Sequence, residues 1–129
     1  MILIFGGAYQ GKLSHALERF HLTEDDVYRC SGESAAAPGN KKIIYEIDKW
    51  ILAMLKNEKS DIEIRQAAER FLENNPDAIV ICNDISCGIV PVDPLLRKWR
   101  DSVGRSLAMI SKKSCEVIRM FFSIPTRIK

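Results

Sequence analysis

The stretch that decides the fold opens the chain, where Met1-Ile-Leu-Ile-Phe5 runs directly into Gly6-Gly-Ala-Tyr-Gln-Gly-Lys12. An uninterrupted apolar run of this length is typical of a strand that is covered on both faces. After the glycines, apolar residues recur at helical spacing: Leu13, Ala16, Leu17 and Phe20. The predicted order is therefore strand, glycine-rich turn and helix.

The turn matches the P-loop pattern G-x-x-x-x-G-K-[ST] at Gly6, Gly11 and Lys12. In such a loop, backbone amides and the helix N-terminus surround the β-phosphate, and the lysine reaches the β- and γ-phosphates. The sequence predicts that ATP or GTP binds at Gly6, Gly7, Ala8, Tyr9, Gln10, Gly11, Lys12 and Leu13. The alternative is a glycine-rich turn before a helix, with Lys12 on the surface.

The last position of the P-loop pattern departs from the expected serine or threonine. It should be a serine or threonine whose hydroxyl binds Mg²⁺, and here it is Leu13. Ser14 follows, but one step along a helix turns a side chain by roughly 100°. The loop should keep its shape, because leucine suits a helix, whereas Mg²⁺ becomes a doubtful cofactor and metal-assisted phosphoryl transfer suffers.

Hydrophobic periodicity and turn residues place the other elements. The predicted strands are Asp26–Cys30, Ala78–Cys82 and Glu116–Phe122. The predicted helices are Lys41–Lys56, one that is capped by Ser60 and one that begins at Asp93-Pro94. Ser31–Asn40 is a loop that we expect to be mobile, and Ile124–Lys129 is a short tail. Lys42–Ile47 alone is also compatible with an extended segment. Alternating strands and helices predict an α/β, P-loop NTPase-like three-layer fold with a mostly parallel sheet. The 129 residues fit a single P-loop nucleotide-binding domain, 1–129.

Composition argues against several other classes of protein. The net charge of +2 is too small to indicate a nucleic acid or an anionic membrane as partner. The four cysteines form no C-x-x-C pair and there are only two histidines, a poor set of zinc ligands. No apolar run approaches the roughly 20 residues that span a bilayer, and no leader pattern is visible. We therefore expect a cytoplasmic protein.

A second landmark lies further along the chain. The segment Asn83–Pro91 is followed by Arg100-Asp101 and Gly104-Arg105, and Ser123-Ile-Pro stands near the end. Together with the glycine loop, these residues resemble the adenosylcobinamide kinase / adenosylcobinamide-phosphate guanylyltransferase family of cobalamin biosynthesis. Its members carry Gly-Gly-Ala-x-Ser-Gly-Lys-Ser, then Asn-Glu-x-Gly-x-Gly-Ile/Val-Val-Pro and Arg-x-Phe-Arg-Asp-x-x-Gly. The resemblance covers the chain to about Phe20 and nearly everything from Ala78 onward.

The resemblance implies an enzyme that uses a nucleotide to phosphorylate the aminopropanol arm of adenosylcobinamide, with a nucleotide and a corrinoid as partners. Lys12 would contact the phosphates. Asp84, which stands where the family has glutamate, would hold Mg²⁺ or orient the substrate hydroxyl; otherwise it is a loop aspartate that bonds nearby amides. Arg100 would neutralise phosphate charge; otherwise it belongs to the solvated face of a helix.

Departures from the family pattern leave the function open. The family's guanylylated histidine has no counterpart, since neither His15 nor His21 maps onto it. The family's Asp-Cys-Leu-Thr-Leu-Trp strand is missing, and we interpret Tyr45–Trp50 as helix, with Glu46 and Asp48 as surface charges. One hypothesis is a kinase without guanylyl transfer; another is a non-catalytic nucleotide- or corrinoid-binding relative with a degenerate loop. A kinase for another small alcohol and a homo-oligomer also stay open.

Overall fold

The computed structural model describes residues 1–85 and 91–129, which form six strands and four α-helices. The strands are β1 (Ile2–Gly6), β2 (Val27–Arg29), β3 (Ile43–Tyr45), β4 (Ile79–Asn83), β5 (Glu116–Phe121) and β6 (Ile124–Arg127). The helices are α1 (Lys12–Arg19), α2 (Ile47–Lys56), α3 (Asp61–Glu73) and α4 (Pro94–Lys113). None of the helices in these two ranges is long and apolar enough to cross a membrane.

The strands form one sheet in the order β2-β3-β4-β1-β5-β6, parallel except for β6. β1 lies inside the sheet, with Ile2 opposite Ile79 on one side and Glu116 on the other. The five parallel strands end at the same edge, so the segments that follow β1, β3 and β4 meet there. This is the edge at which open α/β sheets bind their ligands.

Alternate residues of β1 face two separate apolar clusters. Leu3 packs in a cluster with residues of α2, α3 and α4, whereas Ile4 packs in a second cluster with Ala16 of α1. Both strand residues are fully buried. The sheet is thus a middle layer between helices, and the predicted α/β, P-loop NTPase-like three-layer fold is confirmed.

Local capping chemistry explains where two of the helices begin. The Ser60 hydroxyl accepts from the Glu63 amide at 3.1 Å, and the Glu63 carboxylate accepts from the Ser60 amide at 3.0 Å. Asp93 caps α4 by accepting from the Leu95 amide at 2.8 Å, and Pro94 occupies the first helical position. Side-chain oxygens there satisfy amides that have no partner within the helix, so both predicted starts are confirmed.

The predicted helix at Lys41–Lys56 is wrong in its first part. Ile43–Tyr45 form β3, which pairs with β2 on one side and β4 on the other. The helix begins only at Ile47, after Glu46 adopts a left-handed backbone conformation with φ 60° and ψ 54°. Burial between two strands overrides the helical periodicity of these residues, because the sheet satisfies their backbone groups.

The predicted tail is also wrong, since Ile124–Arg127 form the antiparallel edge strand β6. Phe122 and Ser123 link β5 to β6, with φ values of 49° and 60°. Two consecutive left-handed residues are typical of the two-residue hairpin turns that match the twist of the strands. We call Phe122–Ser123 the β5–β6 turn.

Candidate functional site

The glycine loop connects β1 to α1, and close packing against β5 and the β5–β6 turn explains two of its glycines. A Cβ at Gly6 would lie 2.5 Å from the Met120 carbonyl oxygen, and one at Gly11 would lie 2.8 Å from the Ser123 hydroxyl. Gly11 also has φ 82°, a left-handed conformation that favours glycine. The spacing that suggested a P-loop is therefore required by the fold at both positions.

Gln10 ties the loop to the β5–β6 turn. Its backbone carbonyl accepts from the Ser123 amide at 3.1 Å, and its side-chain carbonyl accepts from the Phe122 amide. Both turn amides thus point at one loop residue. The shape of the loop therefore depends on the end of β5 as well as on its own sequence.

Lys12 is almost fully buried at the first position of α1, with 4% of its surface exposed. Its Nζ donates to the Gly7 carbonyl at 2.6 Å. Burial lowers the pKa of this ammonium, and the negative charges of Asp48 and Glu46 oppose the shift. A buried cation at the N-terminus of a helix suits a phosphate, which would supply the missing negative charge.

A hydrogen-bonded network of Glu46, Asp48 and Asn83 lies across from Lys12. The Asn83 backbone amide donates to Asp48 Oδ1 at 3.0 Å. The Asn83 side-chain amide donates to Glu46 Oε2 at 3.1 Å and to Asp48 Oδ2 at 3.3 Å. Trp99 Nε1 donates to the Asp48 carbonyl at 2.7 Å, and Lys49 Nζ lies 3.1 Å from Glu46 Oε2. We call Glu46, Asp48 and Asn83 the polar network.

Asp48 is the most deeply buried member, with 1% of its surface exposed. Burial raises the pKa of its carboxyl, while the hydrogen bonds from Asn83 oppose that shift. The left-handed backbone at Glu46 is uncommon for a residue other than glycine, asparagine or aspartate. Buried charge and unfavourable backbone geometry together indicate a site whose arrangement serves something other than stability.

The loop and the polar network form opposite walls of a cleft of about 570 Å³. Its lining residues are Ala8, Tyr9, Gln10, Gly11, Lys12, Leu13, Ser14, Tyr45, Glu46, Lys49 and Asn83. A somewhat larger cavity of about 670 Å³ lies between α3 and α4, but its lining includes none of these groups. Because the smaller cleft is lined by the buried Lys12 and by the Glu46 carboxylate at the carboxyl edge of the sheet, it is the candidate site.

The structure brings most of the predicted loop residues into this cleft. Residues 8–13 line it, while Gly7 faces Lys12 through its carbonyl and Gly6 ends β1. Asp84 lies next to the loop, since its amide donates to the Gly6 carbonyl at 2.8 Å. Arg100 is half-buried on α4 and is not among the lining residues. The predicted roles of Lys12, Asp84 and Arg100 stay predictions, and Ser86–Val90 of the second landmark lie outside the described residues.

The interpretation of Glu46 and Asp48 as surface charges is wrong. Asp48 is buried, and the Glu46 side chain retains only 18% of its exposure. An extended segment over Lys42–Ile47, which the sequence also allowed, would have placed both carboxylates at the end of a parallel strand. That strand ends beside β4 and therefore beside Asn83. The sequence therefore contained the pattern of a strand at this position, but the helical periodicity of the surrounding residues obscured it.

Magnesium accompanies the nucleotide in kinases of this fold, where one or two carboxylates and the phosphates hold it. Leu13 offers no oxygen, and residues 1–85 and 91–129 contain no group of three or more His, Cys, Asp or Glu that could hold a metal. Glu46, however, lies on the cleft wall opposite Lys12. The ligand atoms that this cleft offers fit a Mg²⁺ ion that is held mainly by phosphate oxygens, with one protein carboxylate.

The fold and this cleft define an α/β protein of the P-loop NTPase-like class. The sequence model of the family described as cobinamide kinase / cobinamide phosphate guanyltransferase matches residues 36–128, and the chain belongs to that family. The match includes β3 and α2, the region that lacks the family's Asp-Cys-Leu-Thr-Leu-Trp sequence, and it begins after the glycine loop. No curated protein matches the chain. Family membership supports a role of the cobinamide kinase/guanyltransferase type in cobalamin biosynthesis.

Proposed function

We propose that this chain is a nucleotide-dependent kinase that phosphorylates a side-chain hydroxyl of a corrinoid and does not transfer a guanylyl group. The observation that carries the proposal is the buried Lys12 ammonium at the start of α1, opposite the polar network. A lysine in this place can stabilise the charge that develops on a transferred phosphoryl group. Family membership supplies the corrinoid as the substrate class.

In the proposed reaction, Lys12 leaves the Gly7 carbonyl and donates to the β- and γ-phosphates of ATP or GTP. The substrate hydroxyl oxygen attacks the γ-phosphorus and its proton passes to water, while the bond from that phosphorus to the β–γ bridging oxygen breaks and the nucleoside diphosphate departs. Mg²⁺ would neutralise phosphate charge when bound, with Glu46 or the predicted Asp84 as its carboxylate. Arg100 keeps its predicted role in phosphate binding, and the chain is proposed to act in the cytoplasm.

Loss of guanylyl transfer is proposed from the two histidines. His15 lies on α1 and His21 lies just after that helix; neither lines the cleft. Burial is the main cause that lowers the pKa of His15. A histidine that forms a covalent guanylyl intermediate must reach the α-phosphate, and these positions support no such contact.

Calorimetric titration of ATP and GTP, with and without Mg²⁺, tests the nucleotide site. We expect binding by the wild type and by Lys42→Ala, an exposed-lysine control, and loss of binding in Lys12→Ala. Absence of binding to both nucleotides would overturn the proposal.

Transfer is tested by incubating the chain with adenosylcobinamide and γ-labelled nucleotide, and by following label in the corrinoid. An acid-labile covalent label on the protein after incubation with α-labelled GTP would show that a histidine is guanylylated after all.

A second candidate, a non-catalytic nucleotide- or corrinoid-binding relative, is favoured by Leu13, which removes the usual metal-binding hydroxyl. The same two experiments separate the candidates. Nucleotide binding that depends on Lys12, without transfer of label to any corrinoid, would support the second candidate over the kinase.

A further inference from the structure

The β5–β6 turn presents an aromatic ring to solvent beside the phosphate loop. Phe122 is 71% exposed, and its backbone is left-handed with φ 49°. A bulky residue rarely adopts this conformation, and asparagine or glycine would satisfy the turn with less strain. Neither burial nor turn geometry therefore explains a phenylalanine at this position.

Two contacts, one of the backbone and one of the ring, position Phe122 relative to the loop. The Phe122 amide donates to the side-chain carbonyl of Gln10, a residue that also lines the cleft. The ring packs against Phe121 with centroids 4.4 Å apart and planes at 60°, which restricts its rotation. The aromatic surface is thus exposed but positioned.

The direction of Lys12 indicates which part of a nucleotide would lie near that ring. Lys12 lines the same cleft as Glu46, which follows β3, and Asn83, which ends β4; both lie on the β4 side of β1. Since this lysine contacts the β- and γ-phosphates, the terminal phosphate belongs on that side. A nucleoside that extends the other way from the loop would lie toward β5 and the β5–β6 turn, which follow on the opposite side of β1.

We propose that Phe122 is a stacking surface for the nucleobase of the bound nucleoside triphosphate. This inference rests on the proposed nucleotide site and adds a base subsite to it. Every nucleobase has a π-face, so a single aromatic ring binds bases with little regard to their identity. The subsite therefore strengthens binding of ATP and GTP to similar extents and leaves discrimination to other contacts.

The test compares inorganic tripolyphosphate with ATP and GTP by calorimetry, because only the nucleotides carry a base. The wild type should bind the nucleotides more tightly than tripolyphosphate. Phe122→Gly keeps the turn amide and suits the left-handed backbone, and it should weaken nucleotide binding by about 5- to 100-fold. Its affinity for tripolyphosphate should not change.

Phe122→Asn serves as a second ring-free variant, since asparagine also tolerates the left-handed conformation. Phe122→Trp should keep the nucleotide affinity, and Ile124→Ala, an exposed apolar residue on the same hairpin, should bind as the wild type does. If both ring-free variants bind nucleotides like the wild type, the subsite is wrong.

Failure of the subsite and failure of the nucleotide site give different results. If the wild type binds tripolyphosphate but gains nothing from a base, the stacking proposal is overturned while the phosphate site stands. If the wild type binds neither tripolyphosphate nor nucleotide, the proposed function has failed and the subsite fails with it. If Phe122→Gly changes the sedimentation coefficient and not nucleotide affinity, the ring contacts a second copy of the chain, which also overturns the proposal.

Discussion

The two sides of the glycine loop are built on different principles. On the β4 side, the loop faces the polar network, whose charges are buried and hydrogen-bonded. On the β5 side, it meets backbone at short distance and a turn that exposes an aromatic ring. The carboxylates on the first side favour the charged form of Lys12, while the second side fixes the shape of the loop. The charge and the position of Lys12 therefore depend on different sides of the loop.

The largest expected effect breaks the β5 side. Gly6→Ala places a Cβ 2.5 Å from the Met120 carbonyl oxygen, so β1 or β5 must move. We expect the free energy of unfolding to fall by about 3 kcal/mol, measured by urea denaturation. Gly7→Ala is the matched control, because its Cβ would lie 3.7 Å from the nearest atom. Equal stability of the two variants would contradict the close approach of β5.

A second variant breaks the β4 side. Asp48→Ala leaves the Asn83 backbone amide without its buried carboxylate acceptor, and the Asn83 side chain keeps only its bond to Glu46. Leaving the backbone donor unsatisfied should cost about 2 kcal/mol of unfolding free energy. Asp77→Ala, which removes an exposed aspartate, should change stability by less than about 0.5 kcal/mol. The comparison fails if both aspartate variants melt alike.

An ion pair under the hairpin should contribute less. Glu116 of β5 contacts Arg19 of α1 at 2.7 Å and Arg127 of β6 at 3.5 Å, and its side chain keeps 12% of its exposure. Glu116→Gln should lower stability by about 1 kcal/mol at low salt and by less at high salt, because ions screen the pair. Glu58→Gln, at an exposed position, is the control. A loss that does not depend on salt would mean that packing, not charge, matters there.

The smallest expected effect is on the pH dependence of nucleotide binding, and it tests the electrostatic interaction between Asp48 and Lys12. Burial already lowers the pKa of Lys12, and Asp48 makes the largest opposing contribution. Asp48→Asn removes that charge, so the pKa of Lys12 falls further and the ammonium loses its proton at a lower pH. If Lys12 binds the nucleotide as proposed, the affinity depends on its ammonium form and should therefore decline at lower pH than in the wild type. Dissociation constants measured across alkaline pH would show this, with Asp77→Asn as control, and an unshifted decline would contradict it.

The elements that were predicted from sequence carry strong local signals. β1, β4 and the starts of α3 and α4 follow from apolar runs and capping residues, which act over a few neighbouring positions. β3 was missed because three residues are too few for a strand pattern to outweigh a helical one that surrounds it. β6 was missed because every residue in it is exposed, so no apolar alternation marks it.

The candidate site likewise has one part that the sequence predicts and another that it does not. The loop is a contiguous motif, and its residues could be named from sequence. The polar network joins residues from β3–α2 and β4, which come together only when the strands pair in register. Burial of Asp48 depends on that pairing and on Trp99 of α4, which no local pattern could supply. The glycines were predicted for phosphate contact, and the structure adds that β5 and the β5–β6 turn require two of them.

The position of β1 inside the sheet has a consequence for how the chain acquires its structure. Residue 2 pairs with residue 79 on one side and with residue 116 on the other. During synthesis β1 therefore leaves the ribosome well before either of its partner strands exists, and closing such long loops slows folding. Until then the apolar run at Met1–Phe5 is exposed. Newly made chains should depend on chaperones or rapid synthesis more than their stability suggests, which pulse-chase measurements of soluble yield would reveal.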